Sequence, residues 1–479
     1  MEKSDKGLSA WQLTMMALGT VIGGSFFLGS AVAIRAAGPA IIISYLLAGA
    51  LVYVILFALS EMTVADPAPG SFRTFAQKAY GSGLGFVVGW VYWSGLVLAM
   101  SSEATAVSII LQKWFPALSL PLLGVVVIIG VSVLNLLGAD KLSKLESGLA
   151  AVKLFAIIGF VVLGAALISG LFPGSSEVGA GALLAEPWFP QGLSGIAGSM
   201  LIVMFAYAGF EIIGLAASET SNPYETIPKA ITYTIVGLVG LYITAVLVLL
   251  PLIPTDTLTT TESPLVLALD RWNLGWAGNA MNIVLVTAIL STMLAAMFGL
   301  GRMIRSLADE GHAPVWVKDK GDIPYRGILF SGAAMLAALG MGFFLPQQVY
   351  LFLVSSGGFA LLFAYVVILA THYKLRKENG CSPEGKCQLP GYPYTSWIAL
   401  ASCILIIVSM PLVPGQGAGL AAGMALVVLF SGIYYGQKLY SKKVAGTLTV
   451  NKQALQFETA EELAPDETRL EQEKDAKRQ

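Results

Sequence analysis

Long apolar runs separated by short polar breaks set the pattern of this chain. Twelve such runs fall at roughly 11–36, 40–65, 84–111, 121–138, 146–170, 194–217, 229–253, 276–301, 327–345, 348–372, 396–413 and 418–440. About 20 apolar residues in a helix cross a hydrocarbon core, and a helix satisfies its own N–H and C=O groups in lipid. The pattern therefore predicts an all-α polytopic membrane protein with twelve transmembrane helices. The longest polar stretch between runs is 302–326. The loop at 66–81, DPAPGSFRTFAQKAYG, reads as a short amphipathic element that begins after Pro67 and Pro69.

Two runs depart from a plain apolar helix. The first carries GTVIGGSFF at 19–27, with Gly19, Thr20, Gly23, Gly24 and Ser25 at mid-membrane depth. Glycines cost helix stability and free backbone groups, and in lipid a freed group must find a cavity, a ligand or protein. A broken helix there makes a binding site, with N–H groups and a positive helix end aimed at an anion. The alternative is that small residues let another helix pack closely. The sixth run, GSMLIVMFAYAGFEIIGLAASE at 198–219, has Ala206, Ala208 and Gly209 among Phe205, Tyr207 and Phe210, then Glu211. The two interrupted runs enter from opposite faces, as the halves of an inverted repeat would.

Composition supports the membrane reading: 56% of residues are hydrophobic and 12% charged, against about 25% charged in a typical globular domain. A net charge of −1 gives no footprint for a nucleic-acid partner. The first apolar run is full length, so no cleavable leader is read. Cys381, Cys387 and Cys403 are too few for a disulfide framework, and the spacing of the first two lacks the second pair of a zinc site. Only two histidines occur, His312 and His372, both away from the breaks. An enzyme would need a polar catalytic set that is not visible, and no metal, cofactor or prosthetic group is implied. An even number of spans puts both termini on one face. Of 28 Lys and Arg residues, that arrangement leaves only Arg35, Lys113 and Arg271 in the loops of the other face, which places both termini in the cytoplasm.

Four ionisable residues sit at span depth, where they are costly and are functional candidates by default: Glu61, Glu103, Lys153 and Glu211. Glu61 is near a span end, where water or a partner can reach it. Glu103 reads as a buried acid bonded to a neighbouring helix or as a functional group. Lys153 could snorkel to the inner surface. Glu211 lies near the centre of its span, with no easy route to water.

The segments GTVIGGSFF, PAPGSFRTFAQKAYGSGLGFVVGWVYW (67–93), FAYAGFEIIGLAASETSNPYETIPKAI (205–231) and GRMIRSLADEGHAPVWV (301–317) follow one another in order. This set resembles the amino acid–polyamine–organocation (APC) superfamily, most closely its bacterial amino acid permease branch, over nearly all of 8–440. The resemblance implies a LeuT-type fold with a 5+5 inverted repeat plus two further helices, and helices 1 and 6 broken. The parts would be a cytoplasmic N-terminus (1–10), a first repeat (11–170), a second repeat (194–372), helices 11 and 12 (396–440) and a charged cytoplasmic tail (441–479).

The resemblance also implies alternating access in a cytoplasmic membrane. The substrate carboxylate would sit on the N–H groups at Gly23, Gly24 and Ser25. The α-ammonium would sit on carbonyls at Val21, Phe205 and Ala208, with Ala206 a further candidate. Phe205 and Phe26 would add apolar surface. Lys153 matches a lysine thought to stand in for a sodium ion, and Glu211 an acid tied to gating; Glu103 is a further candidate. Where many branch members have an Asn–Ser pair, this chain has Leu294 and Ala295, which weakens a sodium site and favours a proton. The expected function is proton-coupled import of amino acids with neutral side chains. An amino acid exchanger and an amino-acid-sensing receptor are the alternatives. The oligomeric state is not readable from these features.

Overall fold

The computed structural model describes residues 9–66, 71–172, 177–210, 220, 222–259, 261–319, 321, 323–341, 349–381, 387–462 and 476. Among them every regular element is helical. The first run is built from three pieces, α1 (Ala10–Val21), α2 (Gly24–Phe27) and α3 (Gly29–Ala37). Its start is fixed by a capping box: Gln12 N–H donates to Ser9 Oγ at 3.3 Å, and Ser9 N–H donates to Gln12 Oε1 at 2.9 Å. Gly38, at φ +62°, turns the chain into α4 (Ile41–Ala65). The amphipathic element of the following loop is α5 (Phe72–Tyr80).

The remaining helices are α6 (Ser82–Trp114), α7 (Leu120–Asn135), α8 (Ala139–Ile168), the short α9 (Ala182–Ala185), α10 (Gly192–Ala206), α11 (Pro223–Leu252), α12 (Pro264–Arg271), α13 (Gly275–Asp309), α14 (Tyr325–Gly340), α15 (Val349–Asn379), α16 (Tyr394–Ser409) and α17 (Gly417–Glu462). Eight helical stretches among the described residues are long and apolar enough to cross a membrane, and three shorter apolar helices, α7, α10 and α14, accompany them. Several helices run beyond the apolar stretches that predicted them, α8 starting at Ala139 and α15 ending at Asn379 among them. α13 runs past the expected end at 301 to Asp309, because the residues that follow are good helix formers whose polar face water tolerates. The tail is helical as far as Glu462.

By contacts, residues 1–427 form one unit and 428–479 another. In the first, α6 is the central post, packed on α5, α7, α13, α14 and α15. Its approach to α15 depends on Gly95, where a Cβ would come within 2.1 Å of the Ala360 Cβ. α4 packs on α10 and α11, and α1 on α8 and α11. The second unit holds the later part of α17, which continues unbroken.

Polar side chains fasten the helix ends. Arg73 of α5 is fully buried and grips Glu310 at the end of α13 through both nitrogens, at 2.9 and 2.6 Å, while Ser306 takes a further Arg73 hydrogen bond. Glu61, at the end of α4, is paired: it accepts from His372 Nε2 at 2.6 Å, from Arg376 at 3.2 Å, and from the Gln388 and Leu389 N–H groups at 2.5 Å each. The two histidines thus have structural partners, since His312 also lies 3.7 Å from Glu310. Cys381 and Cys387 are bonded to each other, a pairing the sequence reading did not anticipate.

The Arg73–Glu310 pair carries a prediction. The guanidinium beside Glu310 holds its carboxyl below the usual carboxylate value. Its stabilisation is therefore complete above the ordinary carboxylate range and is lost as pH falls through the lowered folded-state value. Glu310→Gln leaves Arg73 buried without its counter-charge and is expected to cost about 2–3 kcal/mol, somewhat less than a fully buried pair because Glu310 is part-exposed. Thermal unfolding in detergent at neutral pH checks this, and the loss should shrink as pH is lowered.

Candidate functional site

The site is built on what the break in the first run leaves unpaired. α1 ends at Val21, Ile22 turns extended at ψ 100°, and Gly23 continues extended at φ −137°, ψ −163°. Helix hydrogen bonding resumes only at Phe26 and Phe27, whose N–H groups both reach Gly23 O at 3.2 Å. Carbonyls at the end of α1 and N–H groups at the start of α2 are thereby freed in the protein interior.

Three side chains satisfy them. Glu103 of α6 accepts from Gly24 N–H at 2.7 Å and from Ser25 N–H at 3.2 Å, one with each carboxylate oxygen. Lys153 of α8 donates to Gly19 O and, at 3.2 Å, to Thr292 Oγ1 of α13. Thr292 Oγ1 in turn donates to Ile22 O at 3.1 Å. A carboxylate thus meets the positive start of α2 and an ammonium the negative end of α1, the arrangement helix electrostatics favours. Lys153 is 0% exposed and Glu103 3%. The snorkelling alternative for Lys153 does not hold, because its amine reaches across to the backbone of α1.

The second break lies against the first. α10 ends at Ala206, and the Tyr207 and Ala208 N–H groups turn back to the Met204 and Phe205 carbonyls. Gly209, at φ +104°, brings its backbone onto α1: a Cβ there would lie 3.2 Å from Thr20 O. Each carbonyl has two lone pairs, so Phe205 O keeps acceptor capacity beyond its turn bond. Glu211 lies outside the described residues.

A cavity of about 120 Å³ opens at this junction. Cavities of this order take a benzene-sized group. Thr20, Val21, Ser25, Glu103, Phe205, Ala208, Gly209 and Thr292 line it at the breaks, and Tyr92, Gly95, Leu96, Ala99, Ala295, Ala296, Gly299, Gly357 and Leu361 line its further wall. These wall positions come from the first half of α6, the later part of α13 and, for Gly357 and Leu361, α15, so the cavity extends towards the face from which α1 enters. An aromatic layer lies alongside: Phe26 stacks on Tyr242 at 4.0 Å, and Tyr45 and Tyr207 pack edgewise or tilted on the same ring at 5.7 and 5.3 Å.

Of the residues singled out from sequence, Val21, Ser25, Glu103, Phe205 and Ala208 line the cavity, and Gly23, Gly24 and Lys153 form the break beside it. Phe26 and Ala206 do not line it, which corrects their expected place. Successive residues on a helix point about 100° apart, so with Ser25 on the cavity Phe26 turns into the aromatic layer. Ala206 faces α11, where its carbonyl accepts the Tyr242 hydroxyl at 3.1 Å. Sequence reasoning missed Thr292, two residues before the Leu294–Ala295 departure. The signal for it was a lone hydroxyl pair, Ser291–Thr292, in an otherwise apolar stretch.

Comparison with known proteins adds to this geometry. The family model described as amino acid permease matches residues 12–446. The γ-aminobutyric acid permease of Bacillus subtilis is 31% identical over 459 residues, covering 94% of this chain and 97% of that protein. The aromatic amino acid transport protein AroP of Corynebacterium glutamicum is 32% identical over 442 residues, covering 90% and 95%. Among solved structures, a mutant form of the manganese transporter of Eremococcus coleocola superposes with a TM-score of 0.58 at 12% identity, covering 91% of this chain and 96% of that one. That likeness concerns the fold, and it agrees with the LeuT-type all-α architecture that the family resemblance implied. With these matches spanning nearly its whole length, the chain is a multi-pass membrane protein of the amino acid permease family.

Proposed function

We propose that this protein is a secondary active transporter that imports amino acids with neutral side chains by proton symport and alternating access. One observation carries the reading: the N–H groups of Gly24 and Ser25, at the start of a broken helix, are held by the carboxylate of Glu103 beside a cavity. A backbone cradle that accepts a side-chain carboxylate accepts the carboxylate of an amino acid on the same physical grounds. The α-ammonium then falls to the carbonyls of Val21, Phe205 and Ala208. Relatives named for γ-aminobutyric acid and for aromatic amino acids support an amino acid as the cargo.

Glu103 and the substrate compete for one cradle. A proton taken up by Glu103 removes its charge and releases Gly24 and Ser25 to the incoming carboxylate. Proton and substrate thereby enter together. Lys153 holds the end of α1 as a bound cation would, and its hydrogen bonds to Gly19 and Thr292 join α1, α8 and α13. The neutral side-chain preference follows from the walls. Glu103 is the cavity's one carboxylate among the described residues, it is already engaged, and the further wall is mostly apolar. With the termini in the cytoplasm, the cavity extends inward, as in an inward-facing state. Glu211 remains a proposed gating acid.

The deciding experiment is uptake of a labelled amino acid mixture into proteoliposomes with an inward proton gradient and no sodium. Accumulation that a protonophore abolishes supports symport; entry only into vesicles preloaded with amino acids would replace it with exchange. Lys153→Ala is expected to lower proton-driven accumulation at least about tenfold, the cost of roughly 1.4 kcal/mol at the break; accumulation at wild-type level would remove Lys153 from the mechanism. Glu103→Gln keeps the side chain's volume without the titrating charge. It is expected to bind substrate with an affinity that no longer varies with pH, and to lose uphill uptake while retaining counterflow. An unchanged pH profile for binding, followed by calorimetry or a thermal shift, would contradict the shared cradle.

A further inference from the structure

The Glu61 knot stands apart from the substrate site, and its geometry gives the bonded cysteines a role. Glu61 closes α4, while His372 and Arg376 lie on the last turns of α15. The segment just after Cys387 returns to this point: the Gln388 and Leu389 N–H groups both end on Glu61, Gln388 Oε1 accepts from Ser60 Oγ at 2.7 Å, and Leu389 is 3% exposed. Tyr392 follows over Arg376, 4.0 Å from its guanidinium carbon. Cys381 lies just past the end of α15 and lines the same cleft as Glu61, His372 and Arg376. The Cys381–Cys387 bond therefore sets the distance between the end of α15 and the two N–H groups that clasp α4.

We propose that Cys381 and Cys387 form a redox-modified pair whose bond tightens the clasp of α15 on α4, and that reduction by a cellular dithiol loosens it and speeds transport. α4 packs most on α10 and α11, which belong with the second break, whereas α15 packs most on α6, which carries Glu103, and meets α4 and α10 over a smaller contact. A clasp between α4 and α15 therefore spans the two parts that must shift against each other if access alternates as proposed above, and the transport effect rests on that reading. Cys387 is exposed and open to attack. With the termini cytoplasmic the pair faces a reducing compartment, where disulfides that do form are transient and redox-sensing.

The chemistry balances as ordinary thiol–disulfide exchange. A thiolate of the dithiol attacks Cys387 Sγ, the bond to Cys381 breaks, and Cys381 leaves as a thiolate that takes up a proton. The second thiol of the reductant then attacks the mixed disulfide and releases Cys387. The reductant leaves as a disulfide, having supplied both electrons and both protons.

The test uses the full chain, oxidised with a diazene thiol oxidant or reduced with dithiothreitol, beside a Cys381→Ser/Cys387→Ser variant. Maleimide labelling reads the thiols, hydrogen–deuterium exchange reads the Gln388 and Leu389 amides, and proteoliposomes read uptake. Reduction is expected to free both thiols, to lower amide protection about tenfold, and to raise the uptake rate about threefold or more at unchanged substrate affinity. The double variant should behave as the reduced protein under both treatments. Thiols that never pair under the oxidant, or amide protection that ignores the redox state, would overturn the proposal. Changed protection with equal uptake rates would overturn the transport effect. If no amino acid is transported in either state, the functional reading fails, and the exchange measurement still decides the clasp.

Discussion

A helix interrupted inside a membrane protein must have its freed backbone groups satisfied, and the rest of this structure depends on how that is done. The gap between Val21 and Gly24 exposes carbonyls on one side and N–H groups on the other. Water is scarce at that depth, and each orphaned group costs on the order of 1–3 kcal/mol or more. Glu103, Lys153 and Thr292 each close part of the deficit, and they come from three helices, α6, α8 and α13. The break thereby fixes where those helices sit around α1. Their own charges are tolerated at low exposure because the break supplies the complementary dipoles. Neither the gap nor the buried ions would be affordable alone.

The same requirement explains the asymmetry of the cavity. On one side of the breaks the chain fills space with rings: Phe26, Tyr45, Tyr207 and Tyr242 pack into a layer with no room for a ligand. On the other, small residues at Gly95, Ala99, Ala295, Ala296 and Gly299 leave the wall recessed. Gly95 serves two ends, since the close packing of α15 it permits also brings Gly357 and Leu361 to the cavity.

What was legible in the sequence was what depends on local pattern. Apolar length announced the spans, and glycines at 19, 23 and 24 announced the first break, because both are properties of a few neighbouring residues. The choice of Glu103 as a candidate came from burial cost alone, but its partner could not be read. Seventy-nine positions separate it from Gly24, and only the packing of α6 against α2 joins them. Thr292 was overlooked for the same reason, since a threonine in an apolar helix commonly bonds its own preceding turn, as Thr292 also does to Ala288 O at 3.1 Å. The direction of Phe26 was not readable either, because it is set by stacking on Tyr242, which lies far along the chain on α11. Glu61 and the cysteine pair lay at span ends, where the chain folds back in ways that hydrophobic periodicity does not encode.

The two charges at the break have one further consequence. Glu103 presents a carboxylate and Lys153 an ammonium, the same pair of groups an amino acid carries, and they face the freed ends of α2 and α1 in the sense that helix dipoles favour. The carboxylate and the amine therefore answer opposite dipole ends across the break. An amino acid that displaced Glu103 from Gly24 and Ser25, as proposed, would leave that carboxylate without its two N–H partners. No cation lines the cavity among the described residues to take that carboxylate over, so a proton is the neutralising partner the proposal assigns to it. In the proposed symport, one carboxylate and one backbone cradle would serve proton and substrate in turn.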